Sequence, residues 1–113
     1  MIHQVSNGHV KSELHNGVTT IEFHQFREAI ATMSLARLYI GPEGGLHHAA
    51  AALGVDAIVI MGGFIPPSVI GYPDHINLTG GALDACGNTE PCVHCRNAMS
   101  RISVDEVFSY VRH

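Results

Sequence analysis

Residues 57–61 read Ala-Ile-Val-Ile-Met, an unbroken apolar run. A strand with one wet face alternates apolar and polar side chains. A strand with no polar face is buried on both sides, as in a parallel sheet covered by helices. Parallel strands need long crossovers, usually helical, so this run asks for helices on either side of it. The chain supplies one in Gly45–Gly54, GLHHAAAALG, made of strong helix formers and closed by a glycine suited to a C-terminal cap. It supplies another in residues 24–36, where Phe26, Ile30, Met33 and Ala36 or Arg37 recur at helical spacing. Between them, RLYIG at 37–41 reads as a buried strand. Upstream, HQVS at 3–6 and the β-branched run GVTTIEF at 17–23 read as strands. Alternating strands and helices define an α/β layered domain with a mostly parallel sheet.

The rest of the chain is less regular. From residue 62 onward turn residues dominate, and only HINL at 75–78 looks extended. Residues 79–100 show no clear periodicity and read as a long loop. At the end, Ser103 and Glu106 form a capping-box pair, and Val104, Val107, Phe108 and Val111 follow at i, i+3, i+4 and i+7. That pattern predicts an amphipathic helix with its apolar side packed down. The 113 residues, 46% hydrophobic and 14% charged, make one domain, 1–113, able to bury a core. A net charge of −4 without a basic run gives no footing for nucleic-acid binding. No apolar run has the length of a membrane span. MIHQVSNGHVKSEL lacks the features of a secretion signal, so a cytoplasmic protein is expected.

The chemistry concentrates where RLYIG gives way to PEGGLHH. Pro42 stops ladder pairing through its nitrogen, and Gly44 and Gly45 let a ligand approach the backbone. The helix that opens there has unpaired N–H groups and a partial positive charge in its first turn, a place that holds a phosphate or diphosphate. His48, about one turn in, can donate to a phosphate oxygen. Glu43 would repel a phosphate and is better placed to accept hydrogen bonds from sugar hydroxyls. The alanines 49–52 let the helix sit close on the sheet. Against this stands simple turn chemistry: glycines after a strand and an alanine-rich helix are also what packing alone produces.

The stretch YIGPEGGLHHAAAALGVDAIVIMGGFIPPS, residues 39–68, resembles the C-terminal donor-binding region of glycosyltransferase family 9, the ADP-heptose:lipopolysaccharide heptosyltransferases. The preceding FREAIATMSLARLYIG and the tail CVHCRNAMSRISVDEVFSYV resemble its flanking elements, so the likeness covers most of residues 20–113. It implies a partial Rossmann-like sheet from one domain of a two-domain GT-B enzyme. Glu43 falls at the family's acidic position, usually Asp; Gly44 where Ser or Thr is common; Gly45 at the shared glycine; His48 at the family's histidine. The resemblance implies that these four contact a nucleotide-sugar donor. It implies no cofactor and assigns no catalytic residue, since the acceptor side and the base belong to an N-terminal domain that these residues do not include. Little or no transfer is expected from the chain by itself, and a separate N-terminal transferase domain or a second copy of the chain is the expected partner.

Three cysteines, Cys86, Cys92 and Cys95, lie within ten residues, with His94 inside the last pair. The C-x2-C spacing fits zinc. Reduced thiols fit as well, and so does a disulfide joining Cys92 to Cys95 or Cys86 to Cys92. A different reading of the whole chain is a non-catalytic homodimeric interaction module, with or without zinc in this cysteine loop.

Overall fold

The structure is a computed structural model that describes residues 2–6, 17–62, 67–80 and 93–111. Strands β1 (Ile2–Ser6) and β2 (Val18–Glu22) pair in parallel, Ile2 opposite Val18 and Ser6 opposite Glu22. After them come helix α1 (Phe26–Met33), strand β3 (Leu38–Pro42), helix α2 (Gly45–Leu53) and strand β4 (Asp56–Ile60). The short helix α3 (Pro67–Ile70), strand β5 (Ile76–Leu78) and helices α4 (Val93–Arg101) and α5 (Val104–Ser109) complete the order. The second sheet is parallel throughout, ordered β3-β4-β5, with Ile40 opposite Ile58 and Ile58 opposite Ile76. The chain is thus a small α/β fold with two parallel sheets, of two and three strands, and flanking helices. No helix among the described residues is long and apolar enough to cross a membrane.

The apolar run behaves as its composition demands. Ala57, Ile58 and Val59 are all buried, and Ile58 and Val59 have no exposed surface. Side chains alternate across the sheet. Ala57, Val59 and Met61 join Met33 of α1 and Ala50 of α2 in one core, with Tyr39, Leu46, Ala49 and Ile70 packed around it. The opposite face carries Ile40, Ile58 and Ile76 side by side.

Helix α2 ends as its glycine requires. Gly54 takes a left-handed φ of 72°. Its N–H donates to the Ala51 carbonyl and that of Val55 to the Ala50 carbonyl, at 3.2 and 2.9 Å. This crossed pair is the Schellman arrangement, and the apolar contact that accompanies it joins Val55 and Ala50, both core residues. In α1 the buried positions are Ala29 and, from the row through Phe26, Met33 alone; Ile30 is partly buried. Phe26 stands half exposed at the helix start, and Ala36 and Arg37 fall beyond its end.

Two expectations are corrected. The long loop 79–100 ends early, because residues 93–101 form α4. The glycines, proline and asparagine of residues 80–92 obscured the helix that follows. Helix α4 docks where Ala98, fully buried, meets Gly80, and the Arg101 guanidinium donates to the Gly80 carbonyl at 3.1 Å. The terminal helix forms with its expected cap, the Glu106 N–H donating to Ser103 Oγ at 3.0 Å, but its apolar side is not packed down. Val104 is 83% exposed and Phe108 58%. The helix stops at Ser109, so Val111, the fourth residue of the apolar row, lies past its end.

A methyl group at Gly80 would fall on the Ala98 carbonyl, a backbone atom that cannot swing away. Gly80→Ala should therefore lower stability by about 1–3 kcal/mol, as overpacking does. Urea unfolding checks this; an unchanged midpoint would show that α4 does not dock there.

Candidate functional site

The turn between β3 and α2 is where the expected donor contacts lie. Glu43 is exposed, and its N–H donates to the Ile60 carbonyl at 3.3 Å, tying the turn to the carboxyl end of β4. Gly44 has φ 150° and ψ −163°, a region open essentially to glycine alone. This explains the glycine at this position. Gly45 starts the helix beneath the Phe26 ring, whose nearest carbon is 3.0 Å from where a Cβ would sit. One side of the opening is thus walled by α1.

The first turn of α2 is partly satisfied from within. The Gly44 N–H donates to His47 Nδ1 at 2.7 Å. This is the return half of a capping box, with His in the third helical position where Glu or Gln usually serves. Glycine has no side chain to supply the other half. His47 Nε2 lies 2.8 Å from the Ile70 carbonyl, which can only accept. Nε2 therefore carries the hydrogen and Nδ1 is the bare acceptor, so the two bonds fix the tautomer. Among the described residues, none accepts from the N–H groups of Gly45, Leu46 and His47.

His47 and His48 divide the work by helical geometry. His47 has no exposed surface and lies on the face that also buries Ala50. His48 is exposed, and its Nδ1 is 2.6 Å from Tyr72 Oη. Both histidines thus bind the crossover 67–75 between β4 and β5, one through the backbone of α3 and one through a side chain. The rings of His47 and His48 are 4.0 Å apart, and Tyr72 packs edge-on against His47, His48 and His75 at 5.8, 5.6 and 5.3 Å. Asn77 pins the crossover to β5, its Nδ2 donating to the Tyr72 and His75 carbonyls at 3.2 and 3.3 Å.

A concavity of about 470 Å³ lies at the other end of α2. Gly54, Val55 and Asp56 line one side, and Tyr72, Pro73, Asp74 and His75 the other. It opens at the amino ends of β4 and β5, whereas ligands of open parallel sheets gather at the carboxyl ends. His75 at its edge is buried, and its Nδ1 meets no partner among the described residues. Burial pushes the His75 imidazole below its ordinary value and the neighbouring His47 pushes it the same way; the Val55 backbone, Asp74 and Asp56 oppose the fall.

The sequence singled out Glu43, Gly44, Gly45 and His48, and the structure places all four in one turn and a half of chain. It did not single out His47, Tyr72 or His75. The signal for His47 was present in the three-residue step from Gly44 and in its i, i+3 relation to the buried Ala50. No comparable signal marks Tyr72 or His75, whose positions depend on the crossover. Of the residues considered for zinc, Cys86 and Cys92 and the side chains of His94 and Cys95 lie outside the described residues. Among the described residues, no group of three or more His, Cys, Asp or Glu side chains can hold a metal ion.

Two outcomes follow from the turn and the cluster. Gly44→Ser should cost about 1–3 kcal/mol, because serine is strained in that backbone conformation; a urea midpoint equal to the parent's would contradict the turn geometry. For His75, the folded chain holds the proton less readily than the unfolded chain, whose imidazole titrates near 6.5. Stability is complete above that value and falls as pH drops from it through the lowered folded value. Urea midpoints should decline from pH ~7.5 to ~5.5, and His75→Phe, which cannot titrate, should flatten that decline.

Comparison with protein-family models, with curated proteins and with solved structures finds no match to this chain. The likeness to glycosyltransferase family 9 therefore rests on the quoted residues that carry it.

Proposed function

We propose that the chain binds the diphosphate of a nucleotide-sugar, of the ADP-heptose kind, at the turn Glu43–Gly45 and the first turn of α2. The observation that carries this is the run of N–H groups at Gly45, Leu46 and His47, which meet no acceptor among the described residues at the carboxyl end of β3. The backbone amides and the helix dipole hold the diphosphate, and Glu43 accepts from a sugar hydroxyl. His48, oriented by Tyr72, faces its remaining ring nitrogen to the ligand. In this reading the residues belong to a donor-binding unit of Rossmann-like, GT-B type in cell-surface polysaccharide synthesis. It needs no cofactor, and it is inactive until an acceptor-binding domain completes it, because transfer needs the acceptor held in line beside a base.

A second reading, a homodimeric interaction module without catalysis, draws on exposed apolar side chains: Leu35 is 88% exposed, Val104 83% and Val69 69%. A sedimentation-equilibrium mass of two chains without any nucleotide response would favour it.

Calorimetric titration with ADP, an ADP-sugar and pyrophosphate tests the first reading, with the amide shifts of Gly44, Gly45 and Leu46 followed by NMR. Binding with shifts confined to these amides is expected. Glu43→Gln should weaken the ADP-sugar about tenfold, the loss of one charged hydrogen bond, and leave pyrophosphate unweakened. Silence toward all three ligands at ~1 mM, an affinity of only about −4 kcal/mol, would remove the reading.

A further inference from the structure

We propose that His47 is a proton-sensitive latch joining the glycine turn to the crossover 67–75, closed while its ring is neutral and released when the ring takes a second proton. The proposal goes beyond the diphosphate reading and needs no ligand at the turn.

The geometry allows the closed latch only one protonation state. Nδ1 accepts from the Gly44 N–H at 2.7 Å, and Nε2 donates to the Ile70 carbonyl at 2.8 Å. A proton added to Nδ1 would set one N–H against another across that distance. The Gly44 bond is then lost, and a charge is left inside a side chain with no exposed surface. Burying an unpaired charge costs far more than a hydrogen bond returns. The ring escapes this by leaving, and leaving gives up the Ile70 carbonyl as well.

The surroundings offer the cation no counter-charge in bonding contact, since both ring nitrogens are taken by backbone groups. On α2 itself the neighbour is the His48 ring, 4.0 Å away. From the crossover come Tyr72, at 5.8 Å, and His75, which responds electrostatically to His47. Helix α3 carries no titratable side chain. Asp74 and Asp56 act on His75, and Glu43 stands exposed at the start of the turn. The rings in contact with His47 are those of His48 and Tyr72, neither of which supplies a negative charge, and a proton on His47 disfavours one on His75.

The two histidines of α2 answer acid differently. His48 Nδ1 faces a hydroxyl, which can accept from an imidazolium, so that tie to Tyr72 survives protonation. His47 faces an N–H, which cannot. Acid therefore detaches the turn and α3 at His47 while the crossover stays hinged at Tyr72, beside the 470 Å³ concavity.

The experiment is NMR on the full chain. At pH ~7.5 the His47 ring should show a bare Nδ1 and a protonated Nε2. Lowering the pH until the His47 ring takes up the second proton should shift the Gly44 and Gly71 amides with that ring at one common midpoint. Exchange of the Gly44 amide, corrected for intrinsic rate, should accelerate about fivefold or more, the loss of one hydrogen bond. His47→Gln restores a non-titrating capping-box acceptor and should abolish that response; His75→Phe should leave it intact. A protonated Nδ1 at pH ~7.5, an unresponsive Gly44 amide, a response persisting in His47→Gln, or a response lost in His75→Phe would each overturn the proposal. If His47→Gln does not fold, the common midpoint in the parent decides, and shifts that follow the His75 ring instead refute the latch.

Discussion

Helix α2 lies close on the β3–β4 pair because its sheet-facing residues have little side chain to keep it away. Ala50 reaches complete burial and Ala49 packs at the core's margin. The polar residue on that face, His47, reaches complete burial by bonding both ring nitrogens to backbone groups. A polar ring so deeply placed and left unbonded would be costly. The close approach therefore rests on two bonds as much as on small residues. It also brings the helix start to the carboxyl end of β3 and lets the crossover 67–75 lie against the helix flank. The glycine turn, the ring cluster and the concavity all take their positions from that contact.

The strands and the main helix were legible because their signals are local. The run 57–61 is apolar at every position, and β4 occupies 56–60. Gly54 announces a left-handed cap, and it has one. Ser103 announces a helix start, and its side chain makes the expected bond. What escaped depends on distant parts of the chain. Helix spacing alone does not say whether Phe26 or Ala29 faces the core; in the fold Ala29 is buried, while Phe26 lies half exposed over the start of α2. The exposed side of α5 reads as buried because the pattern assumes a helix long enough to reach Val111, whereas the helix ends at Ser109. Helical phase puts His47, not His48, on the side of Ala50, but the partners of the two rings are not local: the Ile70 carbonyl and the Tyr72 hydroxyl come from the next crossover.

The same helix presents different chemistry at its two ends. At its start, backbone donors and a positive dipole end face outward beside a carboxylate. At its finish, the Schellman bonds satisfy the carbonyls of Ala50 and Ala51, so the concavity there is defined by side chains: two aspartates, a tyrosine and a histidine. The first end suits an anion bound through backbone, and the second offers mostly acceptors. Between them His47 and His48 fasten the flank. Whatever occupies the glycine turn therefore meets a backbone braced against the next crossover and not a free loop.

The spacing within α2 carries a further consequence. An α-helix advances about 100° per residue, so one residue inserted after Gly45 would rotate everything behind it by that angle. The ring of His47 would swing off the sheet-facing side, and Ala50 with it, while Gly54 would no longer fall where the chain must reverse. The helix is fixed in phase at both ends, by a three-residue step from Gly44 at one and by a left-handed glycine at the other. A substitution in this region can keep that phase, whereas a change in length cannot unless it falls outside the helix, in the connections.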